Sequence, residues 1–436
     1  MPSIAWSTSD LAVVALSGIA VPFVQSSDVW HTNAVTVLEH RSASAPRRVL
    51  TRAAWLLAAV LLVAANLRTP VTSLGALLDS LHSIGLSTGT ASFLTSLPVL
   101  CFAAVGATGM TLARRVGAHR GVALGLALIV AGLLVRVVAG STTLLVGTFL
   151  ACAGIALANV LLPVVVKEHF PTKVGQVTGT YTAVMSTGAA LGAALTVPIA
   201  SAAGGWRIGL VAWVVPAVLA LVAWTVSGRG REHARSRSRG ASLWRSPVAW
   251  AVTITFGTQS VFAYVIMSWL PTMYADAGYS HGEAGLLLAV SILIGVPIFV
   301  VAPTVAARMR SQGPLVLLLT AITAAGFAGM AVAPHAGGWL WAVLLGVGGA
   351  VFPVVLTMFA LRTCNSDDTA ALSSMAQSIG YLIAAAGPLL VGLLRDTTGS
   401  WTTSCVLLLG VAVVQATAGL VAGRPVVVGT GPRNDR

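Results

Sequence analysis

The sequence predicts an all-α membrane protein in which twelve transmembrane helices form two related halves of six. Hydrophobic residues make up 56% of the 436 residues and charged residues only 8%, whereas a soluble domain carries about 25% charged residues. The apolar stretches are long and uninterrupted, as spanning helices of ~20 residues require and as the short alternating strands of a membrane barrel do not. Several motifs also recur at a nearly constant offset.

Twelve apolar segments, numbered one to twelve, can be marked along the chain. They lie at 53–81, 87–112, 118–138, 142–166, 174–202, 205–227, 247–275, 281–307, 314–333, 337–361, 370–394 and 400–423. With the N-terminus in the cytoplasm, 21 of the 25 lysines and arginines fall on the cytoplasmic side and three on the outer side. This distribution follows the positive-inside rule. We therefore expect a multi-pass protein of the cytoplasmic (inner) membrane with both termini in the cytoplasm.

The segments set the expected domain boundaries. An N-terminal six-helix bundle is predicted at 47–227 and a C-terminal one at 247–423, followed by a cytoplasmic tail at 424–436. The Arg-rich linker between them, residues 228–246, has no aromatic residue before Trp244, which gives a nucleic-acid patch weak support. We expect it to lie near lipid headgroups.

Residues 1–46 fit this pattern poorly. Their apolar stretch, residues 11–24, is too short to span a membrane and has no basic residues before it, unlike a signal peptide. An over-extended start is the other interpretation, with synthesis beginning near Val35 or Val49. In either case we expect the tail to be dispensable.

The two halves contain an internal repeat. Three pairs of motifs share nearly one offset: Gly85-Leu-Ser87 with Gly278-Tyr-Ser280 at 193, Leu162-Pro163 with Phe352-Pro353 at 190, and Gly188 with Gly380 at 192. Two parallel six-helix halves predict the major facilitator fold, in which the substrate lies near the bilayer midplane between the halves.

Arg68 is the one ionisable residue deep inside a segment, and none of the twelve acidic residues lies at its depth. Pro70 follows it, so segment one is expected to be kinked or broken there. An unpaired intramembrane cation is costly and is usually functional. The sharper hypothesis is that Arg68 binds an anionic or strongly polar substrate. The alternative is that Arg68 donates to backbone carbonyls freed by the kink.

Other polar side chains inside the segments are weaker candidates, because each is more often an interhelical hydrogen-bonding or packing group. The repeat places Gln259 opposite Asn66, and these two are the best of the set. The remaining candidates are Asn159, Gln377, Tyr264, Trp269, Tyr181 and Tyr381. Arg136, near the outer end of segment three, is adequately explained by snorkelling, with attraction of anions as the second choice.

The sequence implies no cofactor and no metal site. The four cysteines have no metal-ligand or disulfide spacing, and there is no GxxxxGK[ST] loop for ATP. A membrane enzyme would need clustered His, Asp or Glu within the spans, and these are missing from the sequence. Gly188 and Gly192, four residues apart in segment five, indicate close helix packing.

The chain resembles the cyanate/nitroimidazole porter branch of the major facilitator superfamily. The similarity extends over residues 48–423 and is strongest in two stretches, Asn66-Leu-Arg-Thr-Pro70 in segment one and Asn159-Val-Leu-Leu-Pro163 in segment four. Arg114 stands where the superfamily's loop motif has Asp, so gating by that Asp is not expected.

The resemblance implies a secondary transporter of a small anion or small polar heteroaromatic compound. The alternative is a drug or metabolite exporter with a mainly hydrophobic cavity, in which Arg68 is structural. We expect a monomer in the lipid bilayer with a small-molecule substrate and no nucleic-acid partner. A coupled proton stays open, since an anion can carry its own proton.

Overall fold

A computed structural model describes residues 45–77, 88–138, 140–227 and 243–428. The predictions for the tail before residue 45, for most of the Arg-rich linker and for the last residues of the chain therefore lie outside the described residues. By its internal contacts the chain forms two units, residues 1–50 and 51–436. The described part of the first unit is the beginning of helix α1, and the second unit contains all the helices that follow.

The described residues form sixteen α-helices and one short 3-10 turn at Leu243–Arg245. The helices are α1 (Ala45–Ala65), α2 (Thr69–Gly75), α3 (Thr88–Gly106), α4 (Gly109–Val116), α5 (Ala118–Val135), α6 (Gly140–His169), α7 (Val174–Ala202), α8 (Trp206–Val211), α9 (Val214–Ser227), α10 (Pro247–Asp276), α11 (His281–Arg308), α12 (Gly313–Val332), α13 (Gly338–Gly348), α14 (Val351–Leu361), α15 (Ser366–Thr398) and α16 (Trp401–Ala422).

The predicted all-α fold is confirmed. Eleven helices or helix pairs of the described chain are long and apolar enough to cross a membrane, and segment two contributes the shorter apolar stretch Leu97–Gly106. Segments one, two, six and ten each consist of two helices, and the other eight are single helices. The N-terminal half therefore contains α1–α9 and the C-terminal half α10–α16.

Prolines account for three of the four interrupted segments. Pro70, Pro216 and Pro353 each lie in the first turn of the helix that follows a break. Proline is tolerated there because the first N–H groups of a helix have no partner within it. The break in segment one was predicted, whereas those in segments six and ten were not.

The four most buried spans occupy equivalent places in the two halves. Segments one, four, seven and ten are 50%, 83%, 67% and 78% buried, and the other seven spans identified in the described residues are at most 44% buried. High burial of the first and fourth segments of each half, relative to the other segments, is the pattern expected of two related bundles. These four segments therefore contain the interior positions where a site can form.

Small residues allow the close packing that was predicted for segment five. A Cβ added at Gly188 would collide with the carbonyl oxygen of Ala65, and one added at Gly192 would lie 2.5 Å from the hydroxyl of Thr72. Helix α7 therefore lies directly against the break between α1 and α2. Between the halves, α7 packs on α11 and α3 packs on α15.

Candidate functional site

Arg68 lies in the turn between α1 and α2. Helix α1 ends at Ala65, α2 begins at Thr69, and Arg68 has φ −126° and ψ −26°. Two carbonyls at the break already have local donors, since the Thr69 hydroxyl donates to Ala65 at 2.6 Å and N–H groups of α2 donate to the Arg68 carbonyl. The predicted interruption of segment one is confirmed, and its freed carbonyls do not bind the guanidinium.

The Arg68 side chain is half-buried and its charge has one close contact among the described residues. Its Cζ atom lies 5.3 Å from the centroid of the Phe352 ring, on α14 of the opposite half. Within the described part of the chain the guanidinium has no hydrogen bond and no carboxylate partner. A cation–π contact of this kind is weaker than an ion pair with a buried carboxylate. The arginine therefore keeps its hydrogen-bond donors available.

Two tyrosines lie near this charge, and a third lies near one of them. Tyr264 on α10 and Tyr381 on α15 are within electrostatic reach of Arg68, and Tyr181 on α7 is within reach of Tyr381. Their hydroxyls form no hydrogen bond with any described residue, whereas the hydroxyl of Tyr274 donates to a backbone carbonyl at 2.9 Å. Buried phenol groups usually find a partner. The hydroxyls of Tyr264 and Tyr381 therefore add donors and acceptors near the guanidinium, and that of Tyr181 adds another near Tyr381.

Aromatic rings surround Tyr381 and form what we call the aromatic cluster. The ring centroids of Phe102, Phe256 and Tyr264 lie 5.0, 5.3 and 6.5 Å from that of Tyr381. Phe352 joins the cluster through Phe256, at 5.8 Å. Phe102 belongs to the N-terminal half and the others to the C-terminal half. The cluster gives the site apolar walls beside one cation.

Sequence reasoning did not select Phe352, Phe102 or Phe256 as site residues. Phe352 appeared only as a repeat partner of Leu162, and nothing in its spacing relates it to Arg68. The available signal was an aromatic residue directly before the proline of segment ten. Its importance depends on a contact between helices that are far apart in sequence.

The two best amide candidates make bonds within their own halves. Asn66 donates to the carbonyls of Leu62 and Pro216 at 2.8 and 3.1 Å. Gln259 accepts from Gln415 at 3.0 Å. In each half, the amide thus connects the first segment to the last. The symmetry predicted for this pair is present, and both side chains are only 2% exposed.

Asn159 and Gln377 meet at the contact between the halves. The amide of Gln377 donates to the backbone carbonyl of Asn159 at 3.0 Å and to the hydroxyl of Ser373 at 2.9 Å. The side-chain amide of Asn159 is half-buried and has no partner among the described residues. Trp269 lies elsewhere, with its indole N–H donating to the carbonyl of Pro388 at 2.9 Å.

The snorkelling expected of Arg136 is wrong. Its side chain is 1% exposed, and its guanidinium donates to the carbonyls of Pro70 and Leu210 at 2.9 and 3.1 Å and to the hydroxyl of Ser73 at 3.3 Å. Pro70 and Ser73 lie on α2 and Leu210 lies on α8, so the guanidinium joins these two short helices. Arg136 therefore holds α2 in place through hydrogen bonds, and its side chain is not exposed at the surface.

Hydrogen bonds between the halves concentrate at one end of the described helices. Lys167 Nζ donates to the carbonyls of Ala360 and Thr363 at 2.7 and 3.0 Å. Ser373 donates to the carbonyl of Val160 and Ser374 to that of Gly106, at 2.8 and 2.7 Å. These residues lie toward the helix ends that the charge distribution assigns to the cytoplasm. The halves are thus joined on that side of Arg68.

The described residues contain no group of three or more His, Cys, Asp or Glu side chains that could hold a metal ion. Ionic contacts lie away from Arg68, as in the pair between Arg395 and Asp276 at 2.9 Å near the ends of α15 and α10. The chemistry that the site offers is recognition by one cation, free hydroxyls and aromatic faces.

Comparisons with known proteins give the family and the fold of the chain. Residues 54–388 match the Major Facilitator Superfamily. The 2-nitroimidazole transporter of Escherichia coli is 38% identical over 85% of this chain and 95% of its own length. The cyanate transport protein of Escherichia coli is 31% identical over 79% of this chain and 91% of its own. Among solved structures, the E. coli fucose:proton symporter has a TM-score of 0.70 at 15% identity and covers 85% of this chain and 98% of that one.

Proposed function

The chain belongs to the major facilitator superfamily, and we propose that it is a secondary active transporter of a small anion or small polar heteroaromatic compound. It is a multi-pass membrane protein whose relatives include transporters named for 2-nitroimidazole and for cyanate. The proposal extends those names to this chain because its own site contains a cation that suits such cargo.

The unpaired guanidinium of Arg68 is the observation that carries the proposal. It lies between the halves, half-buried, with an aromatic ring as its close contact among the described residues. A cation in a membrane-spanning region is costly to leave without an acceptor. A planar or linear anion supplies that acceptor and can also bond the hydroxyls of Tyr181, Tyr264 and Tyr381. We propose these four side chains as the cargo-binding set.

The other predicted site residues receive different roles. Asn66 and Gln259 hold the first helix of each half against the last, and Arg136 holds α2 in place. Gln377 joins the halves, and Trp269 joins α10 to α15. Of the candidate amides, Asn159 is the one whose side chain has no partner among the described residues and is free to reach cargo.

The cycle that we propose is alternating access. Joining of the halves beside Lys167 leaves access to Arg68 from the opposite side, which the charge distribution assigns to the exterior. We place the protein in the cytoplasmic membrane as a monomer with both termini inside. The driving force is a solute or ion gradient, and any proton that moves with the anion travels on the cargo.

A hydrophobic drug or metabolite exporter is the second candidate. The aromatic cluster favours it, since rings from both halves line the same space. The two candidates differ in what Arg68 does: it binds an anionic cargo in the first and takes no part in recognising a neutral one in the second.

A thermal-shift screen tests the proposal. Purified protein is heated with cyanate, nitrate, benzoate or 2-nitroimidazole, and we expect at least one to raise the unfolding midpoint by about 3 °C near 100-fold its dissociation constant. The Arg68→Lys substitution should raise the dissociation constant of that ligand at least about tenfold, because an ammonium group cannot form the paired hydrogen bonds of a guanidinium.

Arg207→Lys is the matched control. Arg207 also contacts an aromatic ring, with its Cζ atom 4.5 Å from the Trp206 centroid, but it is exposed and lies on another helix. The Arg207→Lys variant should bind the ligand as tightly as the wild type does. Equal binding by the Arg68→Lys variant would remove Arg68 from recognition, and stabilisation by neutral apolar compounds alone would favour the exporter.

A further inference from the structure

The contact between Arg68 and Phe352 crosses from one half of the protein to the other. The distance of 5.3 Å from Cζ to the ring centroid is within the ~6 Å range of cation–π attraction. Arg68 is positioned by the break in segment one and Phe352 by the break in segment ten. The charge and the ring therefore meet because two helices are interrupted, one in each half.

The Phe352 ring is held in place from behind. It is 9% exposed and packs on Phe256, with ring centroids 5.8 Å apart. Helix α14 begins at Val351, directly before it, after a turn at Gly349–Ala350. A Cβ at Gly348 would collide with the hydroxyl of Thr323, so this turn lies tightly against α12. A ring held in this way is available to the cation whenever the cation has no other partner.

A transporter with a charged site has a particular difficulty when it carries nothing. Net movement of cargo requires the protein to reorient without cargo, and the bare cation must then be enclosed in a medium of low dielectric. That step is costly for an unpaired charge. An aromatic face lowers the cost without adding a negative charge, and it binds more weakly than an anion does. Cargo can therefore displace it.

We propose that the Phe352 ring takes the place of cargo: it is the partner of Arg68 whenever no anion is bound, and it thereby lets the unloaded transporter reorient. This inference rests on the proposed function, in which Arg68 binds the cargo. Phe352 is a positioning residue for the cation. Its loss should slow the unloaded step and spare the loaded one.

Transport in proteoliposomes separates the two steps. The full chain is reconstituted, and ¹⁴C-cyanate and ¹⁴C-2-nitroimidazole are each measured for net uptake into vesicles without cargo and for exchange into vesicles preloaded with the unlabelled compound. In the Phe352→Leu variant, we expect net uptake to fall about tenfold while exchange stays within about twofold. Phe352→Tyr, which keeps the aromatic face, should restore net uptake.

Phe327→Leu controls for the loss of a buried ring. Phe327 is fully buried on α12 and pairs with Phe262 at 5.6 Å, away from any cation contact among the described residues. The Phe327→Leu substitution should change net uptake and exchange by the same factor. Equal losses of both activities in the Phe352→Leu variant, or no loss of either, would overturn the inference.

A double-mutant cycle tests the pairing without any cargo. Phe352→Leu is made in the wild type and in the Arg68→Gln background, and unfolding midpoints are compared. We expect the drop to be about 2 °C larger in the wild type, because only there does the ring lose a cation. Equal drops would show that Phe352 only packs. If the pairing is present but the wild type moves neither probe, the proposed cargo class fails and the contact stands.

Discussion

The two halves of the protein are alike in how they pack and different where they meet. Asn66 and Gln259 each connect the first segment of a half to its last, through Pro216 and Gln415. Gly188 lies against Ala65 in the first half, and its repeat partner Gly380 lies against Phe256 and Gly257 in the second. These shared features maintain each bundle.

The two halves differ at the positions of Arg68 and Phe352. At an offset of 193, Arg68 and Pro70 correspond to Val261 and Ala263, and segment seven is one continuous helix. At an offset of 190, Leu162 corresponds to Phe352, and segment four is continuous where segment ten is broken. Each half thus contributes to the contact between Arg68 and Phe352 one interruption that the matching segment of the other half lacks. The site depends on this asymmetry, while the symmetric features maintain the fold.

The packing glycines provide the strongest test of this contrast. Gly188→Ala places a methyl group on the backbone carbonyl of Ala65, at the break beside Arg68, whereas Gly380→Ala meets mainly the ring of Phe256. A ring can shift more readily than a backbone. With overpacking costing about 1–3 kcal/mol, we expect Gly188→Ala to lower the unfolding midpoint by about 3 °C and Gly380→Ala by about half as much.

Gly410→Ala is the control for these substitutions. Gly410 lies in the middle of α16 and a Cβ there meets no atom within 4 Å, so the midpoint should stay within about 1 °C of the wild type. Equal effects at Gly188 and Gly380 would mean that α7 does not constrain the break more tightly than α15 constrains α10.

The fold was largely predictable from the sequence because a membrane imposes long apolar runs and biased loop charges. The interruption at Pro70 was predicted for a different reason, the effect of a proline on the helix that contains it. The breaks in segments six and ten were not, because Pro163 and Pro198 lie inside continuous helices of the same protein. Whether a proline interrupts a helix depends on what packs beside it.

The candidate site was predictable in its charge and not in its partners. The absence of a nearby acid identified Arg68 from the sequence alone. Burial of Arg136 depends on acceptors of α2 and α8 that no spacing reveals, and the contact with Phe352 joins residues from opposite halves. Asn66 and Gln259 were correctly paired by the repeat, but the repeat does not say which neighbour an amide bonds.

Pro70→Ala should make segment one more like segment seven, with a moderate effect. Alanine favours helix and restores a backbone donor, so α1 and α2 can approach a continuous helix and move Arg68 away from Phe352. The carbonyl that accepts from Arg136 is retained. We expect the ligand found in the thermal-shift screen to bind roughly fivefold more weakly, without loss of protein stability.

Pro198→Ala is the matched control for Pro70→Ala. Pro198 is exposed and lies inside α7. Ligand affinity should not change when it is replaced. If Pro70→Ala binds ligand as tightly as the wild type, the interruption of segment one is unnecessary for the site.

Lys167→Met should have the smallest effect and concerns the end where the halves join. Lys167 donates to the carbonyls of Ala360 and Thr363, next to Cys364, and Cys364 is the exposed one of the four cysteines. Losing these bonds should loosen that end and speed labelling of Cys364 by a membrane-impermeant maleimide about twofold to threefold. Lys173→Met, which alters an exposed lysine at the start of α7, should leave the labelling rate unchanged.

The same reagent tests orientation: in wild-type vesicles it should reach Cys364 only when the cytoplasmic face is outside. Labelling from the opposite face would reverse the assigned topology, and an unchanged rate in the Lys167 variant would show that the contacts of Ser373 and Ser374 are sufficient to keep the halves joined.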